Sequence, residues 1–204
     1  AKGFAIGNSY PLAFGVNSIA IGTTAAAKAD HSIVIGSFAS SAITADYSIA
    51  IGRTIMNDVG AVNSIIMGSG PASGQFFKNT IPNSLMVGFN GESPTLFVGP
   101  SNGANITGNV GVGLTSLDAN FDAKLNVKGS GNSINTSALH ISNSDGNSLL
   151  FVRDDGNVGI GTINPQTILD LRGNGKSILN IETPLTSNHA WIRFYRSDNL
   201  DVAN

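Results

Sequence analysis

Three histidines, His31, His140 and His189, are the side chains best suited to hold a metal or move a proton near neutral pH. They lie far apart in sequence, and none has a second ligand at metal-binding spacing. His31 falls where a repeated segment turns into a strand, and His140 alternates within SALHIS. Both read as solvated, or as lining an axis shared by symmetry-related chains. A ring of one histidine from each of three chains would be the route to an ion site.

The remaining chemistry is thinner still. Asp154-Asp155 and Ser142-Asn143-Ser144-Asp145 have the residue types of a calcium loop but lack its spaced carboxylates, so turn chemistry explains them. Glu92 and Glu182 are the only glutamates, and no carboxylate pair can be set across a sugar from the sequence. No serine–histidine–acid set can be argued. Gly175-Lys176-Ser177 ends like a phosphate loop, but the glycine required five positions earlier is Asp170. GNVGIGT has the wrong glycine order for a dinucleotide loop, and no helix is expected after it. The expectation is therefore no catalytic residue, no cofactor and no metal. The better anchors for contact are aromatic: Phe76 and Phe77 in a glycine-rich stretch, and Trp191, Arg193 and Tyr195 on one face of a late strand. The plainer reading is that these cap a unit or fill a core.

Composition narrows the class. Charged residues are 12% of 204, about half the usual share for a soluble domain, and there are 25 glycines. A net charge of −2 without lysine or arginine clusters argues against nucleic acid and anionic membranes as partners. The absence of cysteine rules out a disulfide framework. No apolar run approaches the ~20 residues of a membrane helix, so no membrane insertion is expected in this segment. The chain opens within a repeat and closes within WIRFYRSDNLDVAN, so it is expected to be a piece of a longer protein.

The elements that would position these residues are written in repeats. GFAIG (3–7), SIAIG (18–22), SIVIG (32–36), SIAIG (48–52), SIIMG (64–68) and SLMVG (84–88) recur at intervals of 15, 14, 16, 16 and 20. Each phrase alternates with period two, which is a strand signal. A short strand, a turn and a second short strand make one coil of a β-solenoid. TTAAAKADH (23–31) and SFASSAITADY (37–47) supply alternating alanines for that second strand, and GSGPASGQFFKNTIP (68–82) reads as a loop. The branched residues Ile19, Ile21, Ile33, Ile35, Ile49, Ile51, Ile65 and Met67 are expected inside the roll, and the small residues on the contact face. Gly22, Gly36, Gly52, Gly68 and Gly88 are expected to turn the chain. A single coil cannot bury its own apolar face, so coils must stack, and self-association is the natural supplement.

Residues 1 to about 90 resemble the head of YadA-like trimeric autotransporter adhesins, whose repeat reads NSxAIG. Asn17 to Gly22 matches letter for letter, and Ser32–Gly36, Ser48–Gly52 and Ser64–Gly68 match in part. The resemblance implies a left-handed parallel β-roll and an obligate, intertwined homotrimer.

The second half repeats another phrase. GNVGVG (108–113) returns as GNVGIG (156–161), 48 residues later, each preceded by an apolar run (TLFVGPSNG, LLFVRDDG) and followed by L-x-V/L. Gly156, Gly159 and Gly161 are its turn glycines, with Asp155-Gly156, Asp145-Gly146 and Asn164-Pro165 as turn signals. The only helical turn expected is around 115–120. GNVGIGTINPQTILDLRGNG is similar to shaft segments of phage tail fibres and long bacterial surface fibres. The match is Gly156–Thr162, Pro165 and Leu169–Gly173.

The expected protein is all-β: a β-roll over 1–92, then short-strand shaft units over 93–204, divided at about 148/149. Its expected task is attachment, as an extracellular trimeric fibre of a virion, an injection machine or a bacterial surface. Its partners would be two further copies of itself and a cell-surface glycan or protein. A spacer presenting a distal binding domain is the alternative.

Overall fold

The structure, a computed structural model, describes residues 3–71, 75–100, 108–114, 123–173 and 179. Every element among them is a β-strand. The repeat phrases form β1 (Phe4–Ile6), β3 (Ile19–Ile21), β5 (Ile33–Ser37), β7 (Ile49–Arg53), β9 (Ile65–Ser69) and β11 (Leu85–Gly88). Each pairs in parallel with the next copy, like residue on like residue: Ile19 on Ile33, Ile33 on Ile49, Ile49 on Ile65. The linkers supply β2 (Leu12–Ala13), β4 (Ala26–Ala27), β6 (Ser40–Ser41), β8 (Ile55–Asn57) and β10 (Phe77–Asn79), a second parallel sheet. The result is a parallel β-solenoid whose two sheets enclose one core. The 68–82 stretch is not wholly a loop, because Phe77–Asn79 returns to pair with Ile55–Asn57 as the last strand of the second sheet.

Each coil closes through local hydrogen bonds. In every full coil but that of Ser48 the repeat serine donates from Oγ to the carbonyl three residues earlier: Ser18 to Gly15 at 2.7 Å, Ser32 to Ala29 at 2.8 Å, Ser64 to Ala61 at 2.6 Å and Ser84 to Ile81 at 2.7 Å. The preceding position (Asn17, His31, Tyr47, Asn63, Asn83) has φ between 53 and 57°. Asparagine tolerates this left-handed geometry best, which explains the Asn-Ser that opens the phrase.

The interior is filled by the opposite set of residues from the one expected. Ala20, Val34, Ala50 and Ile66 are completely buried, whereas Ile21, Ile35, Ile51 and Met67 are 37–40% exposed. Ile19, Ile33, Ile49 and Ile65 are only half-buried. The expected core positions Ile19, Ile21, Ile33, Ile35, Ile49, Ile51, Ile65 and Met67 therefore point outward. The reason is room. Short coils bring the sheets close, and in the early coils Ala20, Ala25, Ala27, Val34 and Ala39 fill the gap between them. The filling then coarsens along the chain to Ile55, Ile66, Phe77, Met86 and Phe97. Small polar groups share the interior: Ser32 Oγ meets Ser41 Oγ at 3.0 Å, and Asn57 Nδ2 donates to the Ile49 carbonyl at 2.8 Å.

The repeat glycines also differ from expectation. Gly36, Gly52 and Gly68 lie within strands β5, β7 and β9, Gly88 ends β11, and Gly22 directly follows β3. Their role is close approach of coils. At Gly52 φ is +147° and an added Cβ would sit 1.8 Å from the Gly68 carbonyl oxygen. That position excludes any side chain sterically as well as conformationally.

Residue 92 does not interrupt the first sheet. β12 (Leu96–Val98) pairs antiparallel with β11, β13 (Val110–Val112) antiparallel with β12, and β14 (Leu125–Val127) parallel with β13. The first compact unit comprises residues 1–139 with 153–155. The second contains most of a four-stranded sheet, β15 (Ser137–Ser142), β16 (Ser148–Arg153), β17 (Val158–Ile160) and β18 (Leu169–Leu171), in that order. Here β16 and β17 are antiparallel, and β17 and β18 parallel. Gly156 and Gly161 are genuine turn glycines at φ +98° and +74°, while Gly159 lies inside β17. The suggested helical turn at 115–120 lies outside the described residues.

Candidate functional site

The alternation that fills the roll leaves a second apolar surface on its outside. Strand pairing places Ile19, Ile33, Ile49, Ile65 and Leu85 in one column and Ile21, Ile35, Ile51, Met67 and Val87 in the next. Antiparallel pairing carries both columns onward: Leu85 opposes Val98 and Val87 opposes Leu96. Val110 and Val112 follow on β13, then Leu125 and Val127 on β14. The first sheet thus bears a two-lane aliphatic ladder, and beside it on β5, β7 and β9 Ser37, Arg53 and Ser69 pair in register. At about 4.8 Å between neighbouring strands the ladder is about 34 Å long. Exposed apolar patches beyond a few hundred Å² mark interaction surfaces rather than ordinary solvent-facing surface.

The polar candidates form ladders of their own at the turns. Asp30 Oδ1 accepts the Val16 amide at 2.7 Å, and Asp46 Oδ1 accepts the Asp30 amide at 3.0 Å, so each carboxylate ties its coil to the one before. His31 stacks on Tyr47 with centroids 4.7 Å apart, and its Nε2 lies 3.3 Å from Asn17 Nδ2. It is an exposed rung between neighbouring coils. His140 is exposed on β15 and meets the Phe151 ring edge-on at 5.4 Å. Asn143 Oδ1 accepts the Asp145 and Asn147 amides, so that run is an Asx-type turn. Asp155 is held by Arg153 at 2.8 Å, a hydrogen bond that also raises the guanidinium pKa. Among the described residues no three His, Asp or Glu side chains are grouped to hold a metal.

Of the proposed aromatic contacts, Phe77 is fully buried in the roll core and cannot reach a partner. Phe76 beside it is half-buried. Trp191, Arg193 and Tyr195 lie outside the described residues, as do His189, Glu182 and 175–177. The structure brings together what the sequence assigned to the interior, the repeat isoleucines, and makes of them an outer surface. One signal in the sequence pointed to this. The isoleucine positions keep their size from coil to coil, whereas their neighbours Ala20, Val34, Ala50, Ile66 and Met86 vary as a tapering cavity demands.

Residues 15–39 match the YadA head domain repeat, in two copies. These residues span the turn at Ser18, strands β3 to β5 and the alanine strand between them. Neither the curated proteins nor the solved structures yield a match to the chain.

Proposed function

We propose that this chain is a segment of an extracellular attachment fibre of the trimeric surface-adhesin kind. Three copies associate through the aliphatic ladder, and the assembled shaft offers its turn surfaces in threes to a glycan or protein on a cell. The outward ladder is the observation that carries this reading, and the YadA head repeat over 15–39 supports it. The work of the segment is mechanical, without a catalytic step, cofactor or bound metal. Stacked coils make a stiff rod, and three weak sites on one rod raise effective affinity without any new contact. A tail-fibre origin is the second reading, favoured by GNVGIGT and its downstream LDL (156–171). In that setting, too, the chain works by attachment.

Sedimentation equilibrium of the full chain, followed by binding of fluorescent protein to whole cells and glycan panels, tests the proposal. A mass of three chains with saturable cell binding is the expected result. A single-chain mass over the micromolar range would overturn it. A trimer silent on every surface would turn the reading to a spacer holding a distal domain.

A further inference from the structure

We propose that Asn90 is a site of spontaneous covalent modification: the Gly91 amide nitrogen closes a succinimide on the Asn90 side chain, and hydrolysis leaves aspartate or isoaspartate. The inference stands apart from the fibre reading above. It starts from the Asn-Gly and Asp-Gly pairs, because glycine presents its amide to the preceding side chain without a Cβ in the way. The described residues hold three such pairs, Asn90-Gly91, Asp145-Gly146 and Asp155-Gly156. Asn102-Gly103 and Asn174-Gly175 lie outside the described residues.

The fold treats the three pairs differently. The Gly146 amide donates to the Asn143 carbonyl at 3.1 Å, so its nitrogen is committed to the turn. Arg153 holds both oxygens of Asp155 at 2.8 Å, and a carboxylate kept ionised is a poor electrophile. Neither Asp145 nor Asp155 has a positive φ. Asn90 differs on each count. It is exposed in the loop between β11 and β12, which the Thr95 amide closes onto the Val87 carbonyl at 2.8 Å. Its own backbone amide donates to Ser69 Oγ at 3.0 Å, on the preceding coil. Among the described residues its side chain makes no hydrogen bond, and neither does the Gly91 amide. A Cβ added to Gly91 would meet no atom closer than 3.8 Å.

Backbone geometry favours closure at this residue. The five-membered ring brings Cβ, Cα, the carbonyl carbon and the next nitrogen into one plane, which sets ψ near about −120°. With φ near about +60° that is the first central position of a type II′ turn. Asn90 already has φ 54°, so only ψ must turn. The bond to Ser69 anchors the φ side of the residue and leaves the ψ side loose. The step then balances with solvent alone. A solvent base takes the Gly91 amide proton, the nitrogen bonds to Asn90 Cγ, and the Cγ–Nδ2 bond breaks to release ammonia. Water opens the ring at the side-chain carbonyl to give aspartate, or at the main-chain carbonyl to give isoaspartate. Either product places a negative charge where parallel stacking gives way to the antiparallel pairing of β11 and β12. Isoaspartate also lengthens the main chain there by one methylene.

Asn63 is the internal reference. Its φ is 53°, but its Nδ2 donates to Asn83 Oδ1 at 3.1 Å, and Ser64 after it is fully buried. The full-length protein is kept in mildly alkaline buffer, folded or in guanidinium chloride, and digested. Mass spectrometry follows the peptides and scores isoaspartate by fragmentation. The expected result is conversion of Asn90 in the folded protein within fivefold of its rate in denaturant, giving both acids. Asn63 is expected to convert at least tenfold more slowly folded than unfolded. Gly91 has no positive φ and open surroundings, so Gly91→Val folds, and it is expected to slow Asn90 at least fivefold. Slowing of Asn90 by more than fivefold on folding overturns the proposal. So does conversion without isoaspartate, which is direct hydrolysis. Protection of Asn63 below tenfold means that the fold does not select Asn90, and a smaller effect of Gly91→Val removes the Gly91 amide as the attacking group; each also overturns it.

Discussion

The roll and the four-stranded sheet show the same aliphatic lane to the outside and differ in what stands behind it. In the roll, the inward residues of each repeat strand meet a second sheet, and Val34, Ile55, Ile66 and Phe77 are wholly buried. In the four-stranded sheet, Pro165 is the one large side chain fully buried among the described residues of that unit. The roll therefore owns an interior, and a single chain can hold it together. The comparison separates two placements that hydrophobicity alone merges: filling a core and facing outward.

The sharpest way to break the comparison is through glycine. Gly52→Ala places a Cβ 1.8 Å from the Gly68 carbonyl oxygen at φ +147°, so two coils must part. We expect a loss of about 2–5 kcal/mol in urea unfolding, combining backbone strain with overpacking. Gly156→Ala has φ +98° but open space around it. Its cost is conformational only, about 1–2 kcal/mol. Equal losses at the two sites would mean that coil stacking does not set the stability of the roll.

Next in size is the contrast between adjacent residues of one strand. Ala50 is fully buried, and Ile51 is 38% exposed. Ala50→Leu should destabilise the roll by about 1–3 kcal/mol through overpacking. Ile51→Asn should leave the circular dichroism spectrum of the dilute chain unchanged while lowering the sedimenting mass. The reverse pattern would restore the inward assignment of the isoleucines.

That assignment marks where the sequence was legible and where it was not. The period-two phrases, their 14–20-residue spacing and the alanine-bearing linkers were enough to specify a solenoid with two short strands per coil. Facing was the difficulty, because both members of each alternation are apolar. Ile19, Ala20 and Ile21 satisfy either orientation, and the larger side chain is the natural choice for a core. What decides is the gap between the sheets, a property of the whole coil and not of any one phrase. The longer linker at 68–82 hid Phe77 for a related reason. Its glycines and proline read as a loop, while its pairing with Ile55 is a parallel strand contact with the coil before it. The second sheet was legible as repeated strands, but the flat side of its lane shows only once the register is known.

Within the roll, a finer contrast tests the buried polar column. Ser64 Oγ donates to the Ala61 carbonyl at 2.6 Å and lies 3.1 Å from Asn57 Oδ1. Ser48, one coil earlier, is as deeply buried, yet its Oγ has no hydrogen-bond partner. Ser64→Ala should cost about 1 kcal/mol, the net worth of a buried hydrogen bond whose loss strands its partners. Ser48→Ala removes a hydroxyl that pays desolvation without compensation, so it should be neutral or slightly stabilising. Thermal midpoints of the two variants, measured side by side, check this. A drop of similar size for both would show that Ser48 is satisfied in solution.

The smallest effect belongs to the second sheet and to pH. Hydrogen bonds from Arg172, Nε at 3.2 Å and a terminal nitrogen at 3.0 Å, hold the Asp170 carboxyl below the usual carboxylate range. The Gln166 amide at 2.9 Å adds to the same shift. The folded state thus favours the charged carboxylate. Its contribution to stability is complete above the unfolded value, about 3.9, and is lost as pH falls through the lower folded value. Arg172 is half-exposed, so the effect is small and salt weakens it further. It should appear first as faster hydrogen exchange at the Gln166 amide below about pH 4, relative to the intrinsic rate. Asp170→Asn should remove that acid dependence, leaving a flat protection profile over the same range. The roll amides bonded to backbone carbonyls, such as Ile33 to Ser48 at 2.9 Å, should show no such step in either protein. A matching acid step at the Gln166 amide in Asp170→Asn would place its source elsewhere in the sheet and leave the Asp170–Arg172 pair without a measurable role in holding β18.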